Sequence, residues 1–172
     1  MFKKIVRLLK AVKKNKFIFS LPKKGKVFVF DWHSKNYTDK LFNKEDLVYF
    51  ATRNEEFNII IYLKCILKGK FSRIFYIVEY IKFVKPKIVI TFIDNNMMFY
   101  KLRNFLNVPT AFFQVGHRTY HDIFGVAKDL KLDLNSNLKV DYMFVYNNIV
   151  GKKYKSFING EYFPIGSALS NS

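Results

Sequence analysis

A carboxylate and two carboxamides, Asp94, Asn95 and Asn96, stand directly behind an apolar run in KPKIVITFIDNNMMFYKL. These groups exchange hydrogen bonds with hydroxyls and amides. A second polar cluster follows the run TAFF in QVGHR, with Gln114, Gly116, His117 and Arg118. Gly116 permits a tight turn there, and an imidazole beside a guanidinium suits an anionic or hydroxylated ligand. Asp31 closes a third run, KVFVFD, and is followed by His33 and Ser34. The competing role for any one of Asp94, Asn95 and Asn96 is to cap the helix that follows, because Asp and Asn side chains accept from the free amides of a first turn. Three in a row exceed what one cap requires.

These clusters matter only if the elements before them bring them to one place. Lys26 to Asp31 reads as a short strand after the turn-prone Pro22 to Gly25, and LVYFATR, Leu47 to Arg53, as a weaker one. NIIIYLKCILKG can begin as strand and continue as helix to Gly69. FSRIFYIVEYIKFVK has helical periodicity behind a Ser72 cap and stops before Pro86. KIVITF, TAFFQ, DYMFVYN and EYFPIG supply four further strands, with helical NNMMFYKLRNFL and NIVGKKYKSFI between them. Between Tyr120 and Lys139 the chain turns polar, and an irregular or partly helical excursion is expected. Continuous apolar strands alternating with helices predict an α/β fold, a three-layer Rossmann-like domain with a mainly parallel sheet near Val27, Val89, Phe112 and Phe144. In such sheets ligands bind at the carboxyl ends of the strands, where all three polar clusters fall.

Composition excludes several classes. Half of the 172 residues are hydrophobic and 19% are aromatic, so the chain is too apolar to stay disordered. Its best candidate span, RIFYIVEYIKFV, carries Arg73, Glu79 and Lys82 and falls short of the roughly 18 residues a bilayer needs. The basic start, MFKKIVRLLKAVKKNKFIF, has charge every few residues and no small-residue cleavage site, which argues against a secretory signal and for a cytoplasmic location. Residues 1–20 read as a basic amphipathic segment and residues 21–172 as one domain. In that segment Phe2, Ile5, Val6, Leu8, Leu9 and Val12 share a side while lysines and Arg7 fill the rest. The pattern fits either a helix packed on the core or a peripheral anchor at the anionic inner face of the plasma membrane. The net charge of +17 comes from lysines scattered along the whole chain. No zinc-finger spacing or RNP-like motif organises them, and nucleic acid is disfavoured as a partner. Cys65, the single cysteine, sits in an apolar segment and is expected to be a buried, inert thiol. No Walker motif, GxGxxG or nucleophile elbow is present, and no cofactor is expected. His117, His121 and Asp122 could place two imidazoles on one side of a helix, but there is no HExxH and Gly116 and Gly125 favour loop, so no metal is assigned.

From about Lys26 to Ser167 the run KPKIVITFIDNNMMFYKL, then TAFFQVGHRTYHDIF, then VDYMFVYNNIVGKKYKSFINGEYFPIGS resembles the amino-terminal half of bacterial surface carbohydrate biosynthesis proteins, glycosyltransferase-like proteins of the GT-B class. The IDNN segment, the loop similar to the family's QNGxR pattern, and the closing Ile-Gly-Ser carry most of the likeness. Val115 stands in place of that loop's asparagine and cannot make its side-chain hydrogen bond. The resemblance implies two Rossmann-like domains facing a cleft, the amino-terminal one taking a carbohydrate or lipid-linked acceptor and the other the nucleotide-sugar donor. It implies a part in the assembly of lipopolysaccharide, capsule or O-antigen. The chain ends at IGSALSNS, where the linker to a donor domain is expected, so the resemblance implies a truncated enzyme or one subunit of a split one, inactive alone. A non-catalytic binding or scaffold module of the same fold is the alternative. Within the resemblance His117 or Asp94 would take the proton from the acceptor hydroxyl. Arg118 would hold an acceptor phosphate, and Asp31, Asn95, Asn96, Gln114 and Gly116 would line the acceptor site.

Overall fold

The computed structural model describes residues 16–52, 56–116 and 137–166. Its centre is a six-stranded, all-parallel sheet of β2 (Val27–Phe30), β3 (Leu47–Phe50), β5 (Ile88–Thr91), β6 (Thr110–Phe113), β7 (Lys139–Val145) and β8 (Asn159–Pro164), in the order β3-β2-β5-β6-β7-β8. All four residues of β2, VFVF, are buried, because a strand covered on both faces has no position left for a polar residue.

One face of the sheet sends Phe28, Phe30, Val89, Phe112, Met143 and Val145 into a core shared with α2 (Ile59–Leu67), α3 (Arg73–Val84), α4 (Met97–Leu102) and α5 (Asn148–Lys155). The helices answer with Ile61, Cys65, Ile77, Ile81, Phe99, Tyr100, Leu102 and Tyr154. The opposite face packs Val27, Val29, Leu47, Ile90, Phe92 and Ala111 against Tyr37 of α1 (Lys35–Leu41) and against Phe42. Helix, sheet and helix make the three layers that the alternating pattern predicts. Burial raises the pKa of the Cys65 thiol, as expected of an inert core cysteine.

Two elements were not anticipated, the helix α1 and the first strand of the chain. Lys16–Ile18 (β1) pairs in parallel with Glu56–Asn58 (β4) in a separate two-stranded sheet, so the end of the basic amino-terminal segment is strand. The strand-like start of the NIIIYLKCILKG region is this short β4, and Asn58 then caps α2 by accepting from the Ile61 amide at 3.0 Å. Among the described residues no helix is long and apolar enough to cross a membrane.

At the amino edge of the sheet the register of β7 against β8 slips between Lys139↔Asn159 and Tyr142↔Glu161, leaving two β7 residues opposite Gly160 alone. One of the two, Asp141, is aimed at a clasp. Arg103 Nε donates to both its oxygens at 3.0 and 2.8 Å, while the Thr110 amide and hydroxyl donate at 2.8 and 3.0 Å. Burial pushes the Asp141 carboxyl up, but the Arg103 and Thr110 hydrogen bonds outweigh it and hold the pKa below 3.8. A carboxyl depressed in the folded state stabilises fully above its unfolded pKa, and that contribution is lost as pH falls through the folded one. Asp141→Asn should therefore cost roughly 2 kcal/mol at neutral pH, allowing for partial exposure, and flatten the acid side of the stability curve below about pH 4. Urea titrations of both proteins across that range measure the difference.

Candidate functional site

After β2 the chain adds β3 on one side and then crosses to place β5 on the other. The strand order reverses between β2 and β5, and at such a switch point the following loops part and open a crevice at the carboxyl edge. An open cleft of about 480 Å³ lies there, lined by Phe30, Thr52, Arg73, Ile93, Asn95, Asn96, Met97 and Met98. The two strand ends are tied below it: Thr91 Oγ1 donates to the Phe30 carbonyl at 3.0 Å and accepts the Ile93 amide at 3.1 Å.

Asp94, Asn95 and Asn96 are consecutive yet do three different things. The Asp94 side chain turns inward and is 2% exposed, and its Oδ2 accepts from the buried Tyr154 hydroxyl at 2.6 Å. Tyr100 donates to the Asp94 carbonyl, so two tyrosines from different helices hold this loop. Asn95 is exposed on the cleft. Asn96 also lines the cleft, but its Oδ1 accepts from the Met98 amide at 3.1 Å and so caps α4. The capping and lining roles considered for this triplet are thus divided among neighbours.

Gln114 is buried as well. Its Oε1 accepts from the Tyr146 amide at 3.1 Å and its Nε2 donates to the Gly116 carbonyl at 3.2 Å, which joins the loop after β6 to the one after β7. Gly116 is exposed, and a Cβ added there would meet none of the described residues within 4 Å. Because β5 and β6 are parallel neighbours, their following loops open at the same edge. His117, Arg118, His121 and Asp122 lie outside the described residues, as do residues 1–15 and most of the polar stretch from Tyr120 to Lys139. Among the described residues no group of acidic, histidine or cysteine side chains is placed to hold a metal ion.

Asp31 is fully buried and has φ 124°, a conformation that L residues rarely adopt and that costs on the order of 1–3 kcal/mol. Its amide donates to the Val29 carbonyl at 3.1 Å and its carbonyl accepts from the Ser34 amide at 3.3 Å. The chain is thereby turned sharply as it leaves β2, and Trp32 is set on the rim, 45% exposed.

Sequence reasoning missed Arg73 and Thr52 as cleft residues. Arg73 donates to the Thr52 carbonyl and supplies the charged side chain among the cleft's lining groups. A signal was present. Arg73 is the first residue of α3, where a cation opposes the helix dipole, so something other than helix stability favours it there. Thr52 carries no comparable mark. As an arrangement, the cleft offers two amide side chains and a guanidinium above an apolar floor of Phe30, Ile93 and two methionines. That set can hydrogen-bond hydroxyls and pair with an anionic group while shedding water from an apolar surface.

A family model described as "putative O-antigen biosynthesis protein" matches residues 111–172, a little over a third of the chain. The matched stretch begins within β6 and includes β7, α5 and β8. It supports a link to surface carbohydrate biosynthesis. No curated protein and no solved structure matches the chain.

Proposed function

We propose that this chain serves in surface polysaccharide biosynthesis as the acceptor-binding half of a GT-B-like glycosyltransferase, with the acceptor held at the β2/β5 switch point. The observation that carries the reading is the cleft there, where Asn95, Asn96 and Arg73 meet over an apolar floor at the carboxyl edge of a parallel sheet. The family match over the second half of the sheet supports the coarser part of the reading, a role in surface polysaccharide biosynthesis. In this reading Arg73 and Arg118 pair with an acceptor phosphate, Asn95 and Asn96 bond its hydroxyls, and His117 takes the proton of the attacking hydroxyl. Asp94, bound by Tyr154, positions the loop that carries both asparagines. Asp31 and Gln114 shape the neighbouring loops, and the donor nucleotide sugar arrives on a second domain or subunit.

Calorimetric titration with a polyprenyl-diphosphate-linked oligosaccharide in detergent tests the reading. Asn95→Ala should weaken binding about tenfold, roughly 1.4 kcal/mol, while leaving stability within about 0.5 kcal/mol, since the residue is exposed. Arg73→Ala should weaken binding at least as much. Asn96→Ala should weaken binding and also cost about 0.5–2 kcal/mol of stability through the lost cap. Acceptor binding unchanged in all three variants would overturn the assignment. Binding in the parent protein that never leads to transfer with any donor-domain partner would favour the scaffold alternative.

A further inference from the structure

A second hollow, of about 330 Å³, opens at the same edge and is lined by Lys16, Trp32, Lys35, Tyr49, Ala51 and Glu56. Where the chain leaves β3, Tyr49 and Ala51 line this hollow whereas Thr52 lines the cleft, so the two spaces border the same strand end. Trp32 stands two residues beyond Phe30, the last residue of β2, which lines the cleft, so the end of β2 and the turn after it border both spaces.

We propose that this hollow is a saccharide subsite in which the Trp32 indole stacks on the apolar face of a pyranose ring while Lys16, Lys35 and Glu56 bond the ring's hydroxyls. The proposal rests on the acceptor reading and adds to it the place of a second sugar unit. Three independent observations carry it. The chain's single tryptophan is 45% exposed, although tryptophan is on average a highly buried residue. It is presented by a backbone turn at Asp31 strained enough to need a reason, and strain of this kind collects at functional sites. The polar groups around it are of both signs, with Lys16 Nζ 3.5 Å from Glu56 Oε1. That mixture suits hydroxyls, which both donate and accept, better than a nucleotide's phosphates, which the Glu56 carboxylate would repel.

The floor of the hollow is preorganised. Tyr49 Oη bonds Thr38 Oγ1 and the Asp39 carboxylate, each at 2.6 Å. Burial first, and then the Asp39 hydrogen bond, pushes the Tyr49 phenol up to about 12, so it stays a neutral donor across the working pH range. Held by these two hydrogen bonds, the Tyr49 side chain needs little further ordering when a ligand arrives.

Because Trp32 is the single tryptophan, its own fluorescence reports the site. Titrating the whole protein with methyl glycosides of glucose, galactose, mannose and rhamnose should give, for at least one of them, a saturable shift in emission. Glu56→Gln and Lys35→Ala, which keep the reporter, should lower the affinity severalfold. Trp32→Ala, followed by saturation-transfer NMR, should lower it at least about tenfold, the loss of a full stacking contact. Emission unmoved by every glycoside, an equal response to UDP, or unaltered affinity in the three variants would each overturn the subsite. Lipid-linked acceptor binding separates the two readings: if Asn95→Ala weakens it and Trp32→Ala does not, the subsite fails and the acceptor cleft stands. If neither weakens it, both fail.

Discussion

Gly160→Ala should destabilise the protein by about 3 kcal/mol and lower its melting temperature by roughly 6–12 °C. A Cβ at this position would lie inside the van der Waals shell of the Val140 carbonyl oxygen, which is backbone and has no rotamer by which to withdraw. Relief requires β8 to move away from β7 at the point where two β7 residues share one partner. The bulge is also what aims Asp141 at Arg103 and Thr110, so the added methyl should loosen that clasp as well. The two sites must then be coupled. Gly160→Ala and Asp141→Asn combined should cost less than the sum of their separate effects, by 0.5 kcal/mol or more. Thermal and urea unfolding of the two single variants and the double variant measure this directly. Full additivity would mean that the clasp does not depend on the bulge.

Tyr154→Phe is the second large expectation, at about 1.5–3 kcal/mol. The hydroxyl of this fully buried tyrosine donates to Asp94 Oδ2 at 2.6 Å, and its removal deprives a buried carboxylate of a donor without emptying any space. Asp94 leads directly into Asn95 and Asn96, so the loss should reach the cleft: acceptor affinity should fall along with stability. This is the opposite of Asn95→Ala, which should affect affinity alone. Measuring both quantities on both variants distinguishes a residue that positions the site from one that touches the ligand. A Tyr154→Phe protein that unfolds more easily yet binds acceptor as before would confine Asp94 to a structural role.

Most of the strands and helices, and the edge on which chemistry could sit, were legible in the chain itself, although α1 and β1 were not. KVFVFD, KIVITF and TAFF are apolar without alternation because strands of an inner parallel sheet are covered on both faces, and that demand is local and readable. Parallel strands deliver their following loops to one edge, so Asp31, the Asp94 triplet and the Gln114 loop are placed at one edge by the strand pattern alone. Which strand neighbours which, and hence where the order reverses to open a cleft, is set by how the helices pack on the sheet and is not written in any one segment. The same holds for the partner of each polar group. Asp94 meets a tyrosine 60 residues further on, Arg73 reaches back to Thr52, and Asp141 is clasped by Arg103 and Thr110. A residue's type states that it needs a donor, an acceptor or an absent side chain opposite it. A single sequence does not state which distant residue supplies it, because that match is made by packing, where a group buried without a partner costs more than most single contacts contribute.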